Sequence, residues 1–307
     1  MKILITGTHL TPALAVIDQF KNIPNIDLVY IGRSSTMEGD STKSVESQIF
    51  SNSGVKFLTL ISGRLQRTFT PYIILSILKI PVGFFQAIYY LLIEKPDVVL
   101  SFGGYVAIPV VICSWLLNIR IIIHEQTLVS GFANTISSYF TDIIAVSFSE
   151  GRLFGNKKVI VIGNPIRSEI LNPVKVSTDR EINNIIDLSR KEKKPLIFIT
   201  GGNQGSHIIN QVILKNLKKL TELGFIIHQT GDSKYKDFNK LSSFRLTLPD
   251  PERYLARKWI DGADFGLILK NVDLAVSRAG INTLLELAFF GIPTITIPFP
   301  YLFRDEQ

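Results

Sequence analysis

ITGTHLTPALAV, residues 5–16, reads as the end of a short buried strand, one glycine, and a helix carrying its own proline. A strand that runs through glycine into a helix is the opening unit of a nucleotide-binding α/β fold and often cradles a phosphate. This turn holds only Gly7, and then His9, so its role has to come from its surroundings.

Those surroundings repeat the unit. Short apolar strands alternate with helical segments from KILIT through DLVYIG, KFLTL, DVVLSFGG, RIIIHEQ and DIIAVS to KVIVIGNP. That alternation predicts βα units around a parallel sheet covered on both faces. From Pro173 to Lys194 the sequence turns polar, and PLIFITGGNQGSHIINQVILKNLKKL, residues 195–220, starts a second series. Two α/β domains are therefore expected: 1–167, a linker region over 168–194, and 195–307. Ligands of such folds bind beyond the carboxyl ends of the strands.

The composition sets bounds. Among 307 residues, 46% are hydrophobic, which excludes a disordered chain, and 33 Lys and Arg against 26 Asp and Glu leave a net charge of +7. The positive balance favours anionic partners. Lys and Arg are spread along the chain with no aromatic-interleaved basic patch, so nucleic acid is not expected among them. The single cysteine, Cys113, lies in the apolar run VVICSWLL; it excludes disulfides and thiolate zinc sites and points to a reducing compartment. Thr6, His9, Thr11 and Pro12 interrupt the apolar N-terminus, which reads as a first strand rather than a signal peptide.

PYIILSILKIPVGFFQAIYYLLI, residues 71–93, has the length of a membrane span, but Lys79, Pro81, Gly83 and Gln86 cut it into shorter apolar pieces. Two readings remain: a buried helix broken at Pro81, or an apolar surface that dips into a membrane beside Arg64, Arg67 and Lys79.

The turns carry the chemistry. GGNQGS, residues 201–206, follows a strand and opens a helix whose free N–H groups and dipole favour a phosphate. In VDLAVSRAGINTLLELAFFGIP, residues 272–293, Asn282, Thr283 and Glu286 form one polar stripe on an otherwise apolar helix, where a carboxylate can accept both hydroxyls of a ribose. SFGGYVAIP (101–109) places two more glycines between strand and helix, and His124, Glu125 and Gln126 end another strand. Arg167, closing GNPIR, is either a surface charge or a bidentate phosphate ligand. His207 and His228 have structural readings; His9, seated in the turn, is the imidazole best placed to remove a proton from a hydroxyl.

In order, HLTPALAV, SFGGYVAIP, HEQ, GNPIR, GGNQGS, HQTG, and RAG followed by Thr283 and Glu286 resemble the MurG family of glycosyltransferases over essentially the whole chain. The resemblance implies a GT-B fold, two Rossmann-like domains with parallel sheets facing across a cleft. It implies inverting transfer of N-acetylglucosamine from UDP-GlcNAc to an undecaprenyl-diphosphate-linked MurNAc-pentapeptide, with a β-1,4 linkage, in peptidoglycan synthesis. By motif position His9 is the base, and Gly7, Thr8, Gly103, Gly104, Tyr105, His124, Glu125 and Gln126 line the acceptor side.

On the donor side the resemblance places Arg167, Gly202, Asn203, Gln204 and Gly205 at the diphosphate. Ile260 would read the uracil through its backbone, Glu286 the ribose and Gln307 the sugar, with Arg278, Gly280 and Thr283 beside them. No cofactor is implied, since a helix N-terminus and an arginine can absorb the charge of departing UDP. The apolar and basic region 64–93 would dock on the cytoplasmic face of the cell membrane. The chain departs from the family in its shortened first glycine turn, in Thr127 for asparagine and in Asn203 for serine. It stops at Gln307 in mid-motif, which leads us to expect an incomplete sequence of low solubility. Other enzymes of this architecture remain open: a transferase acting on another lipid, or a UDP-sugar epimerase, for which Glu125 is the one obvious carboxylate. So does a protein that binds the nucleotide without turnover.

Overall fold

The computed structural model describes residues 1–33, 50, 54–63, 72–149, 158–202, 204–232 and 234–299, with the backbone alone for 72–78. Arg64, Arg67, Asn203 and Gln307, all singled out from the sequence, lie outside the described residues. The chain divides into two compact units, Met1–Pro165 and a second beginning at Ile166.

The first unit runs β1 (Lys2–Thr6), α1 (Leu10–Phe20), β2 (Asp27–Gly32), β3 (Lys56–Thr59), α2 (Tyr72–Glu94), β4 (Val98–Ser101), α3 (Ala107–Leu116), β5 (Arg120–Glu125), α4 (Phe132–Ser137), β6 (Ile143–Val146) and β7 (Lys158–Val161). The second runs α5 (Ser168–Leu171), α6 (Arg180–Glu192), β8 (Leu196–Thr200), α7 (His207–Leu223), β9 (Phe225–Gln229), α8 (Asp237–Arg245), β10 (Tyr254–Arg257), α9 (Gly262–Asn271), β11 (Leu274–Arg278), α10 (Ile281–Phe289) and β12 (Thr294–Ile297).

Both sheets are parallel throughout the described residues, in the orders β3-β2-β1-β4-β5-β6-β7 and β10-β9-β8-β11-β12. In each, the first strand lies inside the sheet and the order reverses beside it, so the switch points fall between β1 and β4 and between β8 and β11. A crevice opens at such a point because successive helices leave toward opposite faces. The turns after β1, β4, β8 and β11 are therefore the ones that can hold ligand.

The strands read as continuous apolar runs because both faces are covered. In the first unit Leu4 packs with Ala87 and Leu91 of α2 and Val110 of α3, whereas Ile3 and Ile5 pack on the other face with Ala13 and Ile17 of α1. In the second, Leu196 and Phe198 face Ile182, Ile185 and Ile186 of α6 and Ile268 of α9; Ile197 and Ile199 face Ile209, Ile213 and Leu217 of α7.

Two segments differ from their sequence reading. Residues 168–194 are a folded part of the second unit rather than a free connection: Ile170 of α5 and the Ile182–Ile185–Ile186 stripe of α6 are buried in its core, and the Asp179 carboxylate caps α6 by accepting from the Glu181 N–H at 3.0 Å. Helix α2 is not broken at Pro81 but continuous through it. Burial of Ala87 and Leu91, and the approach of the chain at Ile61, hold it. A Cβ on Gly83 would lie 2.6 Å from the Ile61 carbonyl oxygen, and the Ile61 N–H donates to Gln86 Oε1 at 2.8 Å. Among the described residues no helix is long and apolar enough to cross a membrane.

Candidate functional site

At the first switch point the turns after β1 and β4 are fastened together: the Thr8 N–H donates to the Gly103 carbonyl at 2.9 Å and the Phe102 N–H to Thr6 at 2.8 Å. The approach is so close at Gly104 (φ +83°) that a Cβ there would lie 2.0 Å from Thr8 Oγ1. Glycine is required by both the left-handed backbone and the contact. Tyr105 follows, half-buried, its carbonyl accepting from Ser62 at 3.3 Å.

His9 stands at the N-cap of α1, with its Nδ1 2.9 Å from Gln126 Nε2. Crowding of the ring by surrounding protein holds its pKa below the ordinary imidazole value, and the Glu125 carboxylate partly opposes this. The residue is nonetheless exposed, so water limits that shift. Gln126 is buried, and its Oε1 has no hydrogen-bond partner among the described residues.

The other two residues of the HEQ motif brace the site. Glu125 is buried, and both its oxygens are occupied: Oε1 accepts from the Thr127 N–H (3.0 Å) and hydroxyl (2.8 Å), Oε2 from the Gly131 N–H (3.1 Å) and Asn134 Nδ2 (3.0 Å). A carboxylate so saturated shapes the 127–131 loop instead of shuttling protons. The buried His124 has its pKa lowered by desolvation, and Nε2 lies 3.2 Å from the Gly163 carbonyl. That contact makes Nε2 the protonated nitrogen and leaves Nδ1 a buried acceptor with no partner among the described residues.

The turn 201–206, which follows β8 beside the second switch point, packs on its other side on the turn after β9, so closely that a Cβ on Gly205 (φ +73°) would lie 2.0 Å from the Thr230 carbonyl oxygen. Thr200 Oγ1 accepts from the Gly202 N–H at 3.0 Å, and Ser206 caps α7. Gln204 is exposed on the turn. A buried polar chain anchors the turn from below. Asn210 Nδ2 donates to the Thr230 carbonyl (2.9 Å) and to Asp237 (3.1 Å), and Asn210 Oδ1 lies 3.1 Å from His228 Nε2. His228 Nδ1 meets the Tyr254 hydroxyl at 2.8 Å, and Asp237 holds His207 Nδ1 at 2.9 Å. Burial drives the His228 pKa down to about 3, so the ring is neutral, donating from Nε2 and accepting at Nδ1.

Glu286 and Arg167, expected to bind separate parts of a nucleotide, meet each other: Nε to Oε1 at 2.8 Å and Nη2 to Oε2 at 3.1 Å. Thr283 lies one turn earlier on α10, and Gly280 is the N-cap of that helix. Arg278 spans the end of β12, donating to the Ile297 (3.3 Å) and Pro298 (3.0 Å) carbonyls. The Ile260 side chain is in the core, and its N–H donates to Gln229 Oε1 at 3.3 Å. Gln229 in turn donates to the Gly202 carbonyl at 3.2 Å. Gln229, Asn134 and Asp237 were not singled out from the sequence. Gln229 alone had a local signal, its place in HQTG at the end of a strand.

Residues 4–146 match the glycosyltransferase family 28 N-terminal domain and residues 196–307 the glycosyltransferase family 28 C-terminal domain. Over 305 residues the chain is 34% identical to a protein of Borreliella burgdorferi, with 98% of this chain and 76% of the relative covered. That relative is named UDP-N-acetylglucosamine--N-acetylmuramyl-(pentapeptide) pyrophosphoryl-undecaprenol N-acetylglucosamine transferase. The chain belongs to the MurG family of glycosyltransferases.

A family member of the same name from Clostridium botulinum is 31% identical over 302 residues, covering 97% of this chain and 78% of the relative. Among solved structures, Acinetobacter baumannii MurG superposes with a TM-score of 0.66 at 23% identity, over 100% of this chain and 80% of that one. A UDP-GlcNAc 2-epimerase from Neisseria meningitidis gives 0.61 at 14%, over 96% and 82%. These likenesses establish the GT-B architecture, which transferases and epimerases share. The sequence relationship is what separates this MurG-family chain from the epimerases.

Proposed function

We propose that the chain transfers N-acetylglucosamine from UDP-GlcNAc to the 4-hydroxyl of an undecaprenyl-diphosphate-linked MurNAc-pentapeptide, with inversion at the anomeric carbon. The observation that carries this reading is 34% identity over 98% of the chain to a transferase of that name. The saturation of Glu125 favours it over epimerisation, because the one candidate carboxylate that the sequence offered is already engaged.

The acceptor oxygen attacks C1 of the sugar as the bond from C1 to the β-phosphate oxygen breaks, and UDP leaves with the electron pair. His9 takes the hydroxyl proton, since its neutral ring is favoured by the lowered pKa. Gly7, Thr8, Gly103, Gly104, Tyr105, His124 and Gln126 surround the acceptor. The α7 N-terminus stabilises the diphosphate as charge develops, the glycines of the 202–205 turn letting it come close while their own N–H groups bond to Thr200 Oγ1 and the Gly202 carbonyl, with Glu286 on the ribose. Asn203 and Gln307 retain the donor roles that the family resemblance gives them.

The lipid acceptor accounts for the surface of α2. Val82, Phe85, Tyr89, Leu92 and Ile93 recur on one face of that helix and are exposed, the arrangement of a segment that lies on a bilayer at the cytoplasmic face of the cell membrane. The test of the activity is transfer of radiolabel from UDP-GlcNAc to lipid-linked muramyl pentapeptide. Label should appear in that lipid; label in a different lipid alone would overturn the acceptor assignment.

A further inference from the structure

Two cavities meet at the opening ends of β8 and β11, the end of the second sheet away from the donor turn. One, of about 520 Å³, lies against Arg190, Lys193, Lys194 and Asp273. The other, of about 280 Å³, lies against Lys175, Asp187 and Lys270 and, on its apolar side, Val174 and Val176. Arg190 and Asn271 line both, so the two are continuous. The five residues of β8 set this end about 16 Å from the 201–206 turn.

The cations here are uncompensated. Elsewhere in the unit arginines are matched, Arg245 and Arg257 to Glu181 and Arg253 to Glu192. Arg190, Lys193, Lys175 and Lys270 are exposed and form no ion pair among the described residues, and Lys194 reaches only the Glu222 carbonyl, at 3.3 Å. Against these five cations stand two carboxylates, and Asp273 is already committed, accepting from the Leu196 N–H at 2.8 Å.

Cations in the last turn of a helix ordinarily offset its dipole. At the ends of α6 and α9, however, the closing carbonyls are already taken. Those of Ser189 and Arg190 accept from the Lys194 and Lys193 N–H groups, and that of Leu267 accepts from Asn271 Nδ2 at 2.7 Å. Asn271 Oδ1 anchors Arg190 through Nη2, one of the five N–H donors of a guanidinium, and the other four remain for a ligand.

We propose that this end of the second unit binds a phosphate ester, its phosphate among Arg190, Lys193 and Lys194 and its less polar body over Val174 and Val176. Three cations around one cavity match a compact tetrahedral anion, which takes charge-assisted hydrogen bonds from each. Val174 and Val176 are 38% and 68% exposed, and Ile186 and Leu267 back them in the second cavity. Inorganic phosphate would leave that apolar side uncovered; a phosphate carrying an organic group covers it. A lipid headgroup and a soluble phosphate ester share this chemistry.

The experiment follows amide proton and nitrogen shifts of the full chain in excess UDP, which keeps added phosphate off the donor turn. One arm adds glycerol 3-phosphate and the other dihexanoylphosphatidylglycerol below its micelle concentration, both in about 0.15 M salt. Amides of 190–194 and 270–273 should move saturably, with a Kd of about 1 mM or below, while those of 201–206 stay in place. Lys193→Gln/Lys194→Gln should weaken binding about tenfold, and Arg190→Gln, at an exposed position on another element of the site, should do as much independently. Tighter binding of the lipid, with shifts spreading to Ile186 and Leu267, supports the site with a membrane headgroup as its ligand; tighter binding of glycerol 3-phosphate supports it with a soluble ester. Shifts that never saturate, that potassium chloride at equal ionic strength reproduces, or that survive the substitutions unchanged would overturn the proposal.

Discussion

Gln126 Nε2 lies 2.9 Å from His9 Nδ1, linking the turn after β1 to the end of β5 across 117 residues. The amide is buried and the imidazole exposed, so the fixed group orients the free one. An amide NH2 group only donates, so in this arrangement Nδ1 accepts and the neutral ring carries its proton on Nε2; turning the amide over, with the unpartnered Oε1 against an Nδ1–H, frees Nε2 to act as the base.

Removal of His9 should separate chemistry from binding. His9→Ala is expected to lower kcat by about 10²–10⁴-fold with UDP affinity unchanged, as for loss of a general base. The pH dependence has a definite sign. A base must be unprotonated, and the His9 pKa is held below its usual 6.5. The rate should therefore rise with pH along a limb centred below that value and level off above it. Gln126→Glu puts a carboxylate against Nδ1, favours the charged ring and should move the limb upward by about one pH unit. A kcat/KM profile of the three proteins checks both; an unmoved limb in Gln126→Glu would show that the amide does not govern the ring.

The turn after β8 makes a steric prediction. Ala at Gly205 would place a methyl 2.0 Å from the Thr230 carbonyl oxygen at φ +73°, whereas a Cβ at Gly202 (φ +79°) meets nothing within 4 Å. Gly202→Ala should therefore cost only backbone strain, about 1–2 kcal/mol, and Gly205→Ala about 3 kcal/mol or more once the collision is added. With two units in the chain a single melting midpoint mixes their transitions. Amide exchange in β8 and β9 should be read instead. Equal protection in both variants would mean that the turn yields more easily than its packing implies.

The parallel sheets were legible because burial on both faces leaves uninterrupted apolar strands, and the glycine turns were legible because close approach leaves glycine no substitute. Helix α6 was obscured by composition. REINNIIDLSRKE is mostly polar, yet Ile182, Ile185, Ile186 and Ser189 recur at helical spacing and are buried. Pro81 signals a break locally, but packing of Ala87 and Leu91 overrides it. Asn134 and Asp237 act through partners brought near only by folding, Glu125 for one and His207 with Asn210 for the other. No local pattern marks them.

The polar chain under the donor turn predicts how the second unit responds to acid. His228 is neutral in the folded protein down to about pH 3 but takes up a proton near 6.5 when unfolded. The unfolded state then binds more protons between those values, so stability is complete above pH 6.5 and falls as pH drops. The slope from this one residue is about 1.4 kcal/mol per pH unit. His228→Gln should lower the stability at neutral pH by about 1–3 kcal/mol, by breaking the contacts with Asn210 and Tyr254. It should also flatten the decline between pH 4 and 6. Exchange protection of β9 and β10 as a function of pH measures it; an unchanged slope would assign the acid response to other groups.

The exposed face of α2 is testable without substrate. Phe85 and Tyr89 are 74% and 60% exposed, one helical turn apart, and so carry little of the fold. Serine at either should leave the chain folded, while vesicle binding falls by roughly ten- to a hundredfold, the worth of about 1.5–3 kcal/mol for one large apolar side chain. Lys79 at the start of the same exposed stretch adds a charge term, so vesicles with anionic headgroups should bind more tightly than neutral ones, and salt should narrow the gap. Co-sedimentation with phosphatidylglycerol-containing and purely zwitterionic vesicles separates the two contributions. Binding lost on adding salt but untouched by Phe85→Ser and Tyr89→Ser would make the contact electrostatic and leave the apolar stripe without a membrane role.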